Sequence, residues 1–451
     1  MSEATRSPSP YGPDSDHAAI GDALRDGMIP IAVYGLGKLG LPVAVAFAEV
    51  SGAVTGVDVD TTTVDTITAG KAPFSHEPEL DAVLEDLVAG GRLNASTDAQ
   101  VTASEAAIHV VVVPVPLVES RADLTAIENV LEPIGAGLAP GDLVIIESTV
   151  PPGTCDELVA PPLHEISGLP AGTFGVASAP ERTQSGRALS DIRGAYPRIV
   201  GGIDRESTRA AHAVYDTVTD NTVIPVTDAR TAEAVKLFEG VYRDVNIALA
   251  NELARAFEST SLNVLEVIEA ANTLPLCDIH TPGAGVGGHC IPYYPYFLME
   301  RASRDMPLVQ TARAVNDRMP IHLADVTLAS LHEAGIPADE ATIVILGLSY
   351  RPEIPEIAAS PAIPLIERLE STGAHVIAVD PVIDDIVDVD RATIETVPDL
   401  DADAIVLVTA HDAFATMPWE VLDVPVLIDG RNAIPDRAGP RYTIGTGRMS
   451  P

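Results

Sequence analysis

The chain has 451 residues, 46% of them hydrophobic, which is enough for two or three domains with substantial cores. Acidic residues outnumber basic ones 65 to 27, for a net charge of −38, and this argues against nucleic acid or an anionic membrane as partner. Three well-separated cysteines, Cys155, Cys277 and Cys290, suggest no disulfide framework.

No signal peptide opens the chain and no run reaches the ~18 apolar residues of a membrane span, so a soluble, cytoplasmic protein is expected. The acid is spread along the chain, and Lys38, Lys71 and Lys236 are its only lysines. That pattern fits adaptation to a high-salt, halophilic cytoplasm, where screening shortens the reach of self-repulsion.

In chain order, residues 1–28 carry Ser, Pro, Asp and Gly without apolar period and read as a poorly ordered tail, with a short helix possible over 17–26. Ile31–Tyr34 reads as a buried strand. It runs into Gly35, Leu36, Gly37, Lys38, Leu39 and Gly40, a GxGxxG turn, and then into a helix over 41–48. Glycines there permit the tight turn and close approach of a pyrophosphate. A second strand over 53–57 ends at Asp58, placed to bind the ribose of NAD. Two further strands, 108–113 and 143–146, end at Pro114-Val115-Pro116 and at Glu147-Ser148-Thr149. Ligands bind beyond the carboxyl ends of parallel strands, so Val115 and Thr149 are expected to face the cofactor. The loop Ala179-Pro-Glu181-Arg182-Thr183 follows; taken alone, its charges read as a solvated pair.

A long helical pattern covers about 231–257, with Lys236, Tyr242, Arg243 and Asn246 interrupting the apolar spacing. Lys236 lies among apolar neighbours, where an ammonium is costly unless paired or used. A second helix over 261–273 leads to Pro282-Gly283-Ala284-Gly285-Val286-Gly287-Gly288-His289-Cys290. Four glycines ending on a cysteine suit either a tight turn or a loop wrapped around a ligand, with Cys290 a candidate nucleophile. After Pro320 an α/β pattern restarts. It gives a helix over 321–334, strands over 342–346, 375–379, 404–408 and 424–428, and a helix over 361–369. The first turn of this half lacks GxGxxG, so a ligand other than a dinucleotide is expected there.

The motifs GLGKLGLPVA, ESTVPPGT, APERT, EAVKLFEGVYRDVNIALANELA, PGAGVGGHCIP, ARAVNDRMP, LGLSYRP and IDGRN stand in this order along about 30–445. In that set the chain resembles the nucleotide-sugar 6-dehydrogenase family, which includes UDP-glucose and UDP-N-acetylmannosamine dehydrogenases. GGHCIP and RDVNIALANE lean toward the UDP-N-acetyl-D-mannosamine branch. The resemblance implies an α/β fold of two Rossmann-like doubly wound domains joined by a central helical domain with one long helix. The boundaries it suggests are 29–205 for NAD, 206–325 for the helical middle and 326–451 for the UDP-sugar.

The resemblance also assigns roles. Cys290 would capture a C6 aldehyde, Lys236 would stabilise the oxyanion, and Glu181 would serve acid/base or water-positioning work. Arg182, Thr183, Arg243, Gly287, Tyr350, Arg351 and Arg431 match substrate-contacting positions. NAD is the implied cofactor, a UDP-sugar the implied substrate, and a homodimer through the long helix the implied assembly; no metal is implied. Six positions depart from the pattern: Tyr294 replaces an aspartate, Gly240 an asparagine, Leu276 an arginine, Arg351 a lysine, Ala358 an arginine and Val115 a threonine.

Overall fold

The computed structural model describes residues 9–12, 15–74, 77, 79–184, 186–383, 389–435 and 441–448. The chain divides into two compact units, residues 1–238 with 296–301, and residues 239–295 with 302–451.

In the first unit the strands are β1 (Ile31–Tyr34), β2 (Val54–Val57), β3 (Leu93–Ser96), β4 (Ile108–Val111), the short pair β5 (Leu117–Val118) and β6 (Arg121–Ala122), β7 (Leu143–Ile146), β8 (Gly175–Ser178), β9 (Arg198–Gly202) and β10 (Val223–Pro225). Eight of them form one sheet in the order β10-β9-β8-β7-β4-β1-β2-β3. All neighbours in it are parallel except β8 and β9. Successive residues of a strand face opposite sides. Ile31 and Val33 accordingly join one core with helices Gly40–Val50 and Arg205–Val218, while Ala32 and Tyr34 join another with helix Thr125–Gly137. Burial on both faces is why these strands read as continuous apolar runs rather than alternating ones. The strand order reverses between β1 and β4, which sets a crevice at their carboxyl ends.

In the second unit the strands are β11 (Thr342–Leu346), β12 (His375–Val379), β13 (Asp390–Arg391), β14 (Ala404–Leu407), β15 (Val426–Asp429), β16 (Tyr442–Thr443) and β17 (Gly447–Arg448). Their order is β13-β12-β11-β14-β15-β16-β17, with the same reversal beside the first strand. Ile343 and Ile345 pack with Met319, Leu323 and Leu365, and Val344 and Leu346 with Phe414, Met417 and Trp419 on the other face.

Three sequence expectations are revised. The described part of the amino-terminal segment is not a loose tail. Asp16 caps a helix over His17–Arg25 whose Ile20, Ala23 and Leu24 enter the core, and Tyr11 is buried with its hydroxyl donating to Asp204 at 3.0 Å. Residues 1–8, 13 and 14 lie outside the described residues. The boundary drawn after 205 falls at the start of helix Arg205–Val218, whose Ala210, Ala211 and Val214 belong to the first core. The boundary drawn after 325 falls inside helix Pro307–Glu333, which runs through Pro320. Proline forfeits one backbone bond there, and buried Met319 and Leu323 on either side hold the helix in its core.

The long helix spans Ala229–Ala256, close to the expected 231–257.

Candidate active site

In the first unit a candidate cofactor crevice lies at the carboxyl ends of β1, β2, β4 and β7. Gly35 adopts φ +90°, and a Cβ there would lie 2.6 Å from the Val112 carbonyl oxygen. At Gly40 a Cβ would lie 1.8 Å from the Gly35 oxygen, so the helix can start this close to the strand only with glycine. At Gly37 a Cβ would meet nothing within 4 Å, which leaves the loop open to a ligand. No side chain caps helix Gly40–Val50; its Leu41 and Val43 N–H groups bond the Gly37 and Leu39 oxygens, and what the helix start offers an anion is the positive end of its dipole beside the open Gly37 backbone. Asp58 is oriented by the Leu36 N–H, which donates to Oδ2 at 2.8 Å, and by the Asp60 N–H, which donates to Oδ1 at 3.0 Å. A glycine cradle, an uncapped helix start and a fixed carboxylate at the end of β2 suit a dinucleotide. Lys38 is exposed and Leu36 buried. Val115 and Thr149 sit half-buried on the loops after β4 and β7, and these loops are joined where Ser148 Oγ donates to the Val113 oxygen at 2.7 Å.

Beside this crevice, on the same unit, Lys236 Nζ lies 3.1 Å from Glu181 Oε1, with side chains 10% and 6% exposed. The Thr183 N–H and hydroxyl both donate to Glu181 Oε2 at 2.6 Å. Burial works to raise the Glu181 carboxyl, but the ammonium and the Thr183 bonds outweigh it and hold it below the usual carboxylate range. The pair is therefore a buried carboxylate and ammonium, able to exchange a proton with a bound alcohol or water. Arg182 lies in the same loop, with Nη1 donating to the Pro197 oxygen at 2.8 Å.

On the second unit the glycine-rich loop carries Cys290, which is exposed. The loop is held from below by a buried network. The Gly283 N–H donates to Asn251 Oδ1 at 2.9 Å, Asn251 Nδ2 donates to Asn316 Oδ1 at 2.9 Å, and Asn316 Nδ2 reaches Asp244, which also pairs with Arg313. This network is what RDVNIALANE and ARAVNDRMP encode. From above, Tyr350 covers the loop: a Cβ at Gly287 would lie 2.7 Å from Tyr350 Cβ, and one at Gly288 would lie 2.9 Å from its ring. The Gly288 N–H donates to the Ala358 oxygen at 2.8 Å. Arg431 Nε donates to the Val408 oxygen at 2.6 Å and Nη2 approaches the Gly285 oxygen at 3.5 Å. Among the described residues no carboxylate pairs with Arg431, and desolvation lowers its guanidinium to about 10, so it remains a cation at neutral pH. Arg243 and Arg351 are exposed, and Arg243 lies near His280.

The second sheet repeats the turn of the first, with a different outcome. The Leu348 N–H donates to Asp380 Oδ2 at 2.6 Å, as Leu36 does to Asp58. The Asp380 side chain is fully buried, however, and also meets His411 and the N–H groups of Ser349, Val382 and Ile383. It has no face left for a ribose, which agrees with the missing GxGxxG.

Three domain models of the UDP-glucose/GDP-mannose dehydrogenase family match the chain: the NAD binding domain over 29–219, the central domain over 230–318 and the UDP binding domain over 344–436. The chain belongs to this family. It is therefore an NAD-dependent dehydrogenase of UDP-sugar type. UDP-N-acetyl-D-mannosamine dehydrogenase of Pyrococcus horikoshii is 38% identical over 90% of this chain and 96% of its own length. NDP-N-acetyl-D-galactosaminuronic acid dehydrogenase of Ralstonia solanacearum is 35% identical over 89% of this chain and 95% of its own. The solved structure of the UDP-D-ManNAc dehydrogenase of P. horikoshii superposes with a TM-score of 0.86 at 36% identity, covering 93% of this chain and all of that one. In family terms, the glycine turn and Asp58 lie in the NAD binding domain, and Arg431 and Tyr350 in the UDP binding domain.

Motif reasoning reached most of these residues. It missed Glu233, buried on the long helix one turn before Lys236, and the Asn251–Asn316–Asp244 network, because a polar residue on a helix reads as a solvated one.

Proposed function

We propose that the protein oxidises the C6 hydroxymethyl group of UDP-N-acetyl-D-mannosamine to the carboxylate, using two NAD per sugar. The balance is RCH₂OH + H₂O + 2 NAD⁺ → RCOO⁻ + 2 NADH + 3 H⁺. The observation that carries the substrate is the 38% identity, over nearly the full length of both chains, to a UDP-N-acetyl-D-mannosamine dehydrogenase.

Bound NAD supplies a two-electron acceptor for hydride at each of the two oxidations. The chain supplies the rest. Glu181 and Lys236 take the alcohol proton and hold the negative charge that develops on oxygen. The Cys290 sulfur adds to the aldehyde carbon, and the oxygen is protonated to give a thiohemiacetal. Loss of a second hydride leaves a thioester. Water adds to its carbonyl, the C–S bond breaks, and the carboxylate departs as the thiolate is restored. Covalent capture keeps the aldehyde from leaving between the two oxidations. Arg431, which among the described residues pairs with no carboxylate and bonds the Val408 and Gly285 oxygens, is suited to the diphosphate, and Tyr350 and Gly287 line the loop beside it. Arg182, Thr183, Arg243 and Arg351 are assigned to substrate by motif position, and Val115 and Thr149 to the nicotinamide side of the crevice.

The assembly we propose is a homodimer through the long helix, supported by Phe238, Tyr242 and Leu249, which are 61%, 53% and 48% exposed at positions that share a helix face. A nucleotide-linked uronic acid is the form in which such a sugar enters polysaccharide assembly, in the cytoplasm, and the acidic surface suits a salt-rich one. A substrate panel in molar salt tests the sugar. UDP-N-acetylmannosamine should give the highest kcat/KM; a higher value with UDP-glucose, UDP-N-acetylglucosamine or the galactosamine epimer would reassign it.

A further inference from the structure

Glu233 is one of the most deeply buried charged groups in the first unit, 1% exposed, and the chemistry above makes no use of it. Its two oxygens are shared between two backbone donors of the turn that follows β7. The Gly153 N–H donates to Oε2 at 2.6 Å and the Cys155 N–H to Oε1 at 2.8 Å. That turn continues the segment Glu147–Val150, whose other end is fixed by the bond from Ser148 to Val113. Between the two anchors lie Thr149, buried Val150 and two prolines, Pro151 and Pro152, with Thr154 Oγ1 donating back to the Pro151 oxygen at 2.6 Å. A segment pinned at both ends and stiffened by two prolines has little freedom. The location of Thr149 is thus set by Ser148 on one side and by Glu233 on the other.

We infer that Glu233 is a positioning residue for the cofactor: its carboxylate clamps the Gly153–Cys155 turn to the helix that bears Lys236, and so fixes Thr149 where the nicotinamide end of NAD is to bind. This rests on the reading of the crevice as the NAD site. The group is an expensive one to keep in that place. Desolvation pushes its carboxyl up, the Cys155 N–H and thiol and the Gly153 N–H pull it down, and the Asp156 charge adds to the rise, for a value of about 7. A neutral amide satisfies one of the two N–H groups but turns its own NH₂ toward the other, so the turn must shift.

The test is calorimetric titration of NAD⁺ and, separately, UDP into wild type and Glu233→Gln. We expect NAD⁺ to bind about tenfold more weakly to the variant, the size of one lost buried bond, with UDP affinity unchanged. Should Glu233→Gln fold poorly, Glu233→Asp, which keeps both acceptor oxygens on a shorter stem, should show the same split to a smaller degree. Equal NAD⁺ affinity in wild type and variant overturns the clamp. Parallel loss of NAD⁺ and UDP affinity also overturns it, since that is what a general loosening of the fold would do. Failure of wild type to bind NAD⁺ overturns the site reading, and the clamp with it.

Discussion

The ring of Tyr294 fills the space that a side chain at position 240 would need: a Cβ on Gly240 would lie 2.3 Å from Tyr294 Cδ2 and 3.2 Å from Cγ. In the sequence these are two separate departures from the family pattern, 54 positions apart in the numbering. In the fold they are one change, a small residue making room for a large one. Tyr294 is buried, and its backbone N–H donates to the Cys290 oxygen at 3.0 Å, so the residue that fills this space also closes the turn that carries the cysteine.

Gly240→Asn, which restores the family residue, should therefore destabilise the protein by about 1–3 kcal/mol through overpacking. Tyr294→Asp in the same chain should relieve much of that loss. A double-mutant cycle by denaturant unfolding checks it; additive effects would show that the two positions do not interact.

Lys236→Ala removes the cation beside a buried carboxylate, an uncompensated charge that costs about 3–5 kcal/mol. The pH dependence follows from the sign of the shift. In wild type Glu181 is held below its ordinary 4.5, so its contribution to stability is complete above that pH and is lost as pH falls through the lowered value. Without Lys236 burial dominates and raises the carboxyl, so the midpoint of acid unfolding should move to higher pH. Unfolding midpoints measured across acid pH for both proteins test this, and an unmoved midpoint would remove the pair from the account. Sugar oxidation should also fall by orders of magnitude in the variant.

Arg431→Ala should weaken UDP binding by about 2 kcal/mol, roughly thirtyfold, since a charge-assisted bond to phosphate is lost. NAD⁺ affinity should be unaffected, because Arg431 belongs to the UDP binding domain. Calorimetry with each ligand separates the two effects.

A net charge of −38 repels itself over about 10 Å at 0.1 M salt and over about 3 Å at 1 M. The melting temperature should therefore rise steeply as KCl is increased between those concentrations. A flat or falling profile in thermal melts would show that the acidic surface is not tuned to salt.

Of the parallel strands, those with both faces buried under large side chains were legible, as Ile31–Tyr34, Leu143–Ile146 and Thr342–Leu346 stand in the sequence as short apolar runs, whereas β3 and β8, four residues each of mostly small or polar type, were not. β9 and β10 were not, since Arg198 and two glycines dilute the first and the second is three residues at an edge. Pro320 read as a break, yet the helix runs through it, because its neighbours are anchored in the core. The glycine turn and Asp58 stood out through their strand–turn–helix context, whereas Glu181, Lys236 and Cys290 became candidates only through the family motifs around them, since each taken alone reads as an ordinary ion pair, lysine stem or turn cysteine. Glu233 and the contact of Tyr294 with Gly240 were not, because both depend on distant segments meeting, and no local pattern records that.

The central claim is that Cys290 holds the half-oxidised sugar between two oxidations, and stoichiometry tests it most directly. NADH and sugar acid should be counted in the same reaction of wild type with UDP-N-acetylmannosamine, and again with Cys290→Ala. The account predicts two NADH for each acid formed in wild type, no released aldehyde, and no acid from the variant. One NADH per sugar with aldehyde in solution, or acid formation that survives loss of the sulfur, would contradict it.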